Sequence, residues 1–175
     1  MPGARGPRYA GAVAWSCGRS PPLGAMTAIP EPLARLLHEV EGLDRFERQQ
    51  LLLEFADEFR EVPPEVAERP FPEENYVTRC ESQAYVFARP NPDGTLKFYF
   101  AVENPQGVSA KSWAVIMDRT LSGQPLESVL AVPPDVIFRI YGNEISMGKG
   151  QGLMGMLDHV KMLAARTLRE RRSEG

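Results

Sequence analysis

From Glu73 to Phe100 the chain reads EENYVTRCESQAYVFARPNPDGTLKFYF. Its second half decides the fold. Ser82 to Arg89 alternates, with Ala84, Val86 and Ala88 on one face and Tyr85 and Phe87 on the other, the period of a strand. Asn91-Pro92-Asp93-Gly94 is a turn in which Gly94 can take positive φ without steric cost. Thr95 to Glu103 alternates again and sets Leu96, Phe98, Phe100 and Val102 on one face. The stretch predicts a β-hairpin. One thiol, Cys80, stands just before its first strand, after a proline-punctuated connection from Pro63 to Thr78. A thiol at such a junction is expected to be within a partner's reach.

Outward from the hairpin the period becomes helical. Leu33, Leu36, Leu37 and Val40 predict a short helix from about Pro32 to Glu41, ended by Gly42. Asp44 with Glu47 forms a capping-box pattern. It opens a second helix that carries Leu52, Phe55, Ala56 and Phe59 to about Arg60, before Val62-Pro63-Pro64 stops it. Beyond Gly107, Trp113, Ile116, Met117 and Leu121 predict a helix from about Ser109 to Leu121. Short helical pieces follow at Leu126 to Leu130 and Asp135 to Tyr141. A last helix is expected from near Gly150, with Leu153, Met156, Leu157, Val160, Leu163, Ala164 and Leu168 as one apolar stripe. The fold class is therefore α+β, a small antiparallel sheet packed against helices on one face.

At 175 residues and 43% hydrophobic, the chain is long enough for one domain with a core of its own. Residues 26–175 are read as that single domain. Residues 1–25 hold four prolines, five glycines, three arginines and no acid, a disordered leader or a misassigned start ahead of Met26; Cys17 within them is read as a bystander. The balance of 20 basic against 23 acidic residues, net −3, argues against nucleic acid as a partner. No run approaches the roughly 18 apolar residues of a membrane span. Two cysteines and no paired C-x-x-C spacing point away from a disulfide scaffold or a zinc site and toward a free thiol in a reducing cytoplasm.

Three features could carry chemistry. Gly142 to Gly152, GNEISMGKGQG, is glycine-rich but not a phosphate-binding loop. Five residues separate Gly142 from Gly148, and Lys149 is followed by Gly150 where a hydroxyl is needed. What remains is a helix start whose N–H groups and Lys149 give positive potential, or simply a flexible loop with a solvated lysine. His38 and His159 have no local signature of a cysteine hydrolase and are read as surface or core histidines. Cys80 is either a packing residue, since free cysteine is commonly buried, or a nucleophile whose thiolate the adjacent Arg79 would favour.

Cys80-Glu81-Ser82-Gln83 followed by Ala84-Tyr85-Val86, with Gln151-Gly152-Leu153 and Met156 at the last helix, resembles the SufE family of sulfur acceptors. The order of elements from about Leu33 to Leu168 is similar to that family throughout. The resemblance implies a fold shared with IscU-type iron–sulfur scaffolds. It makes Cys80 the sulfur-accepting cysteine and puts Arg79, Ser82, Gln83, Lys149 and Gln151 around it as binding residues. Two departures stand out. Lys149 occupies the place of an arginine, keeping a cation but losing the planar fork, and Arg79 replaces a small glycine.

The implied role is to take persulfide sulfur from a pyridoxal-phosphate cysteine desulfurase of the SufS kind, to stimulate that enzyme, and to relay sulfur to a SufBCD-like scaffold. Neither a cofactor of its own nor a metal is implied, and a monomer or weak homodimer in the cytoplasm would suffice. A loop that shelters Cys80 in an apolar recess and swings out on docking would suit the task, with Val77, Phe100 and Met147 as its lining. The alternatives are a module of the same fold that regulates a desulfurase without carrying sulfur and, more distantly, an independent cysteine hydrolase using His38 or His159.

Overall fold

A computed structural model describes residues 28–143 and 145–174. The leader or misassigned start read at residues 1–25, and Cys17 with it, lie outside the described residues. Helices α1 (Glu31–Glu41) and α2 (Arg45–Asp57) come first. A 3-10 turn at Glu73–Asn75 then leads to strands β1 (Ala84–Pro90) and β2 (Leu96–Val102). Helices α3 (Val108–Leu121), α4 (Leu126–Leu130), α5 (Val136–Tyr141) and α6 (Met147–Glu174) complete the order. The class is α+β, as the periodicity predicts.

The hairpin pairs antiparallel from Ala84 opposite Val102 to Pro90 opposite Leu96. Gly94 takes φ 88 in its turn, closed by Asn91 N–H donating to the Thr95 carbonyl at 2.8 Å. One face of the sheet turns Ala84, Val86, Leu96, Phe98, Phe100 and Val102 into the main core. There they meet Trp113 and Met117 of α3 and Leu153, Met156, Leu157, Val160 and Ala164 of α6, all buried. Burying each of these large side chains stabilises the fold by roughly 1.5–3 kcal/mol before the entropy of ordering them is counted.

The opposite face is covered too, by a segment without regular structure. Val62 is buried with Phe87 and Ala101, and Val66, Ala67 and Phe71 pack against them. The Phe71 ring lies 5.1 Å from Tyr85 and 5.4 Å from Phe87, centroid to centroid. This explains why α2 stops at Asp57 rather than running to Arg60. The chain must extend toward the sheet, where Val62 N–H donates to the Phe100 carbonyl at 2.8 Å. Both hairpin edges are thereby occupied, since on the other side Val77 N–H donates to the Ala84 carbonyl at 2.9 Å.

The capping box at α2 is formed in both directions, with Asp44 and Glu47 each accepting the other's backbone N–H at 2.9 Å. Helix α6 begins three residues earlier than Gly150. Ser146 starts it, its carbonyl accepting from Gly150 N–H at 2.9 Å and its hydroxyl from Lys149 N–H at 3.4 Å. The Trp113 indole N–H donates to the Leu153 carbonyl at 3.0 Å, tying α3 to this first half of α6. No helix among the described residues is long and apolar enough to cross a membrane.

Candidate functional site

Cys80 is the shared corner of two tight turns. Its N–H donates to the Val77 carbonyl and its own carbonyl accepts from Gln83 N–H, each at 3.1 Å. Gln83 closes the second turn in the left-handed region at φ 52, a conformation that few non-glycine residues adopt. The Ser82 and Gln83 carbonyls then accept from Asn104 and Glu103 N–H, both at 3.1 Å. The cysteine turn is thus fastened to the chain leaving β2.

Beneath the turn lies the glycine face of α6. A Cβ on Gly152 would stand 3.3 Å from Cys80 Cα, 3.4 Å from the Arg79 carbonyl and 3.5 Å from Cys80 Sγ. One on Gly148 would meet a Glu81 carboxylate oxygen at 2.8 Å, and one on Gly155 would meet Val77 Cγ1 at 3.0 Å. Spaced four and three apart, these glycines share one side of the helix. The Arg79–Cys80 backbone therefore rests almost directly on α6 at Gly152, and the Glu81 and Val77 side chains rest on it at Gly148 and Gly155; a side chain at residue 152 would press on the turn.

The sulfur is sheltered, with Cys80 only 6% exposed. The position before a strand suggested a thiol within a partner's reach, but α6 lies across it, and the thiol is sheltered as the family resemblance implied for the resting state. Burial is the largest influence on the thiol and pushes its pKa up. Against it act the N–H groups of Ser82 and Ala84 and the Ser82 hydroxyl, all of which favour the thiolate, while the Glu81 charge opposes it. Arg79 is exposed on the turn. The result is a buried thiol whose upward shift is opposed by the Ser82 and Ala84 N–H groups and the Ser82 hydroxyl.

A recess of about 380 Å³ opens onto Cys80. Glu81 and Ser82 form one wall, Gly107 to Ala110 at the start of α3 a second, and Gly148, Lys149 and Gly152 of α6 a third. Gly107 makes room for Ser82, since a Cβ there would come within 3.1 Å of its hydroxyl and 2.9 Å of Val102 Cγ1. Of the residues singled out in the sequence, Cys80, Ser82 and Lys149 meet at this recess. Arg79, Gln83 and Gln151 are exposed and stand outside its lining.

The expected apolar lining of Val77, Phe100 and Met147 is not what walls the recess. Val77 and Phe100 belong to the core and Met147 is 79% exposed. The start of α3 is the wall that sequence reasoning missed; its only signal was Gly107 at a change of period. Neither histidine lines the recess either. His38 is exposed on α1, and His159 is partly buried beside the Glu74 backbone, so the hydrolase reading lacks its base. Among the described residues, no group of three or more His, Cys, Asp or Glu is gathered to hold a metal ion.

Comparison with known proteins agrees with this geometry. Residues 34–164 match the family described as SufE: Fe-S metabolism associated domain. An uncharacterized SufE-like protein from Mycobacterium tuberculosis strain CDC 1551 is 29% identical over 153 residues, covering 83% of this chain and 97% of the relative. A protein with the same description from strain H37Rv matches equally. The solution structure of a hypothetical protein from Thermus thermophilus superposes with a TM-score of 0.65 at 28% identity, covering 81% of this chain and 98% of the other. The chain belongs to the SufE family and, with it, to iron–sulfur metabolism.

Proposed function

We propose that this protein is a sulfur carrier. In this reading Cys80 takes the sulfane sulfur held as a persulfide by a pyridoxal-phosphate cysteine desulfurase, SufS-like in kind. It stimulates that enzyme by clearing its cysteine, and it passes the sulfur to a SufBCD-like scaffold in the cytoplasm. The observation that carries the reading is Cys80 sheltered at the head of the recess, its burial opposed by the Ser82 and Ala84 N–H groups and the Ser82 hydroxyl, which favour the thiolate. A resting thiol of this kind is protected from oxidants, yet its thiolate is supported once a partner opens the site.

The transfer balances without an oxidant. Cys80 gives its proton to solvent, and its thiolate attacks the outer sulfur of the desulfurase persulfide. A new S–S bond forms at Cys80, the old one breaks, and the desulfurase cysteine leaves as thiolate. The leaving thiolate is then free for the next turnover. The Ser82 and Ala84 N–H groups and the Ser82 hydroxyl hold the attacking sulfur as an anion, and Lys149 adds positive charge at the recess wall.

Intact-mass analysis after incubation with desulfurase and cysteine tests this directly. Wild type and Cys17→Ser are expected to gain one sulfur mass, and Cys80→Ser to gain none. A Cys80→Ser protein that still stimulates desulfurase turnover would install the regulatory module in place of the carrier.

A further inference from the structure

Glu81 follows the reactive cysteine directly, and the transfer chemistry gives it no task. The residue is exposed, yet its carboxylate rests on the protein. It reaches from the cysteine turn to the start of α6, where a Cβ on Gly148 would meet its Oε1 at 2.8 Å and its carboxyl carbon at 3.6 Å. Only glycine leaves that place open. The first turn of a helix has N–H groups with no carbonyl partner inside the helix, and it carries positive partial charge. Here that turn is Met147 to Gly150, entered from Ser146. A carboxylate lodged there is attracted to α6 as well as packed on it. Lys149 is the other charged side chain lining the recess among the described residues. The α3 wall from Gly107 to Ala110 brings no charge, and Asn104 and Gln106 after β2 bring none either.

We propose that Glu81 is a positioning residue for the sulfur step: its carboxylate, seated on the first turn of α6, holds the Cys80 turn closed over the sulfur. The inference rests on the carrier reading for the reaction it serves. Glu81 joins the residue next to Cys80 to the helix that shelters the thiol, so the turn does not lift from α6 without breaking this contact. The same charge opposes ionisation of the thiol. One group therefore acts on both the shelter of the sulfur and its proton. Neutralising that charge, as an ion pair with a docking partner's cation would, loosens the turn and favours the thiolate together.

The test times alkylation of Cys80 by iodoacetamide across pH, in the full chain carrying Cys17→Ser. The reagent is uncharged, so salt acts on the protein and not on its encounter with the reagent. Each profile gives a limiting rate at alkaline pH, which reads access to the sulfur, and a midpoint, which reads its ionisation. Glu81→Gln imitates the neutralised state. It is expected to raise the limiting rate about two- to fivefold and to move the midpoint toward lower pH. Gly148→Ala displaces the flexible end of Glu81 without changing any charge, and should raise the limiting rate by a similar factor. Glu127→Gln on α4, equal in charge change to Glu81→Gln, should alter neither quantity. The wild-type limiting rate should rise with ionic strength, and that of Glu81→Gln should not.

Glu81 is exposed, so its replacement leaves the core intact and its result decides the matter. Limiting rates equal to wild type in Glu81→Gln and Gly148→Ala, or the same gain from Glu127→Gln, would overturn the inference. So would a gain in rate with an unmoved midpoint, the sign of a merely structural contact. None of these outcomes touches the carrier reading, which is judged separately by whether wild type gains a sulfur from desulfurase and cysteine.

Discussion

From Met147 to Gly155 helix α6 meets the cysteine turn through glycines, whereas from Met156 to Ala164 it meets the sheet and helices through apolar side chains. In the first half, Gly152 leaves room for the Arg79–Cys80 backbone, and Gly148 and Gly155 for the Glu81 and Val77 side chains. In the second, Met156, Leu157, Val160 and Ala164 are fully buried. Close approach without a side chain gives fit but little apolar area, and apolar area is what holds elements together. The same helix thus provides a seat held by close fit and an anchor held by apolar burial. That division fits the carrier role proposed above, in which Cys80 is hidden at rest and presented on docking.

Leu157→Ala breaks the anchor, and its effect on stability should be the largest. The side chain is wholly buried in the main core, so its loss is expected to cost about 3 kcal/mol by chemical denaturation. Reaction of Cys80 with a thiol reagent, measured where the variant is still folded, should stay near the wild-type rate. A marked gain in that rate would show that anchor and seat are one cooperative unit.

Gly152→Val attacks the seat. Its new side chain would press on Cys80 Cα and the Arg79 carbonyl, backbone that cannot swing aside as a flexible chain end can. The expected cost is about 1–3 kcal/mol from overpacking. More telling is the thiol, which should react with a modifying reagent many times faster because the turn no longer lies against α6. Unchanged reactivity alongside lost stability would mean that the strain spread into the helix and that the turn is not separable from it.

The hairpin and the second half of α6 are legible in the sequence because both announce themselves by local period. Ala84 to Ala88 alternates and Leu153 to Leu168 repeats at helical spacing, and each is buried or partly buried as that pattern requires. The cover on the far face of the sheet is not legible. Val62, Val66 and Phe71 follow no period, and their role exists only because Phe87 and Ala101 lie opposite. Cys80 shows the same limit. Its neighbours in sequence, Arg79 and Glu81, are charged and exposed, and they suggest an open thiol. Its burial is decided by Gly152, distant along the chain. Of the motif residues, Cys80, Ser82 and Lys149 meet at one recess while Arg79, Gln83 and Gln151 do not, and the α3 wall of that recess came from the fold alone.

Gln83 sharpens the comparison at the hinge of the seat. Its φ of 52 is readily available to glycine and unfavourable to a β-branched residue. Gln83→Val is expected to cost about 1–2 kcal/mol, and Gln83→Gly to change stability by less than about 1 kcal/mol. Similar losses for both substitutions in denaturant titrations would show that the glutamine side chain, rather than the turn geometry, matters.

The smallest effect concerns the thiol itself. Burial makes the folded protein hold the Cys80 proton more tightly than the unfolded chain does. Cys80 therefore contributes a stability that is fully present below the ordinary thiol pKa of about 8.5. That contribution fades as the pH rises through the higher folded value. Alkylation, which needs the thiolate, should likewise have its half-maximal rate above the ordinary pH when followed in a Cys17→Ser background. Ser82→Ala removes one of the three donors and leaves the residue-82 and Ala84 N–H groups in place. Its alkylation profile should move further toward alkaline pH, and only modestly. A shift in the opposite direction would mean that the hydroxyl does not face the sulfur. An unmoved profile would leave the two N–H groups as the whole of the anion's support, placing the seat's chemistry in its backbone, where its packing already lies.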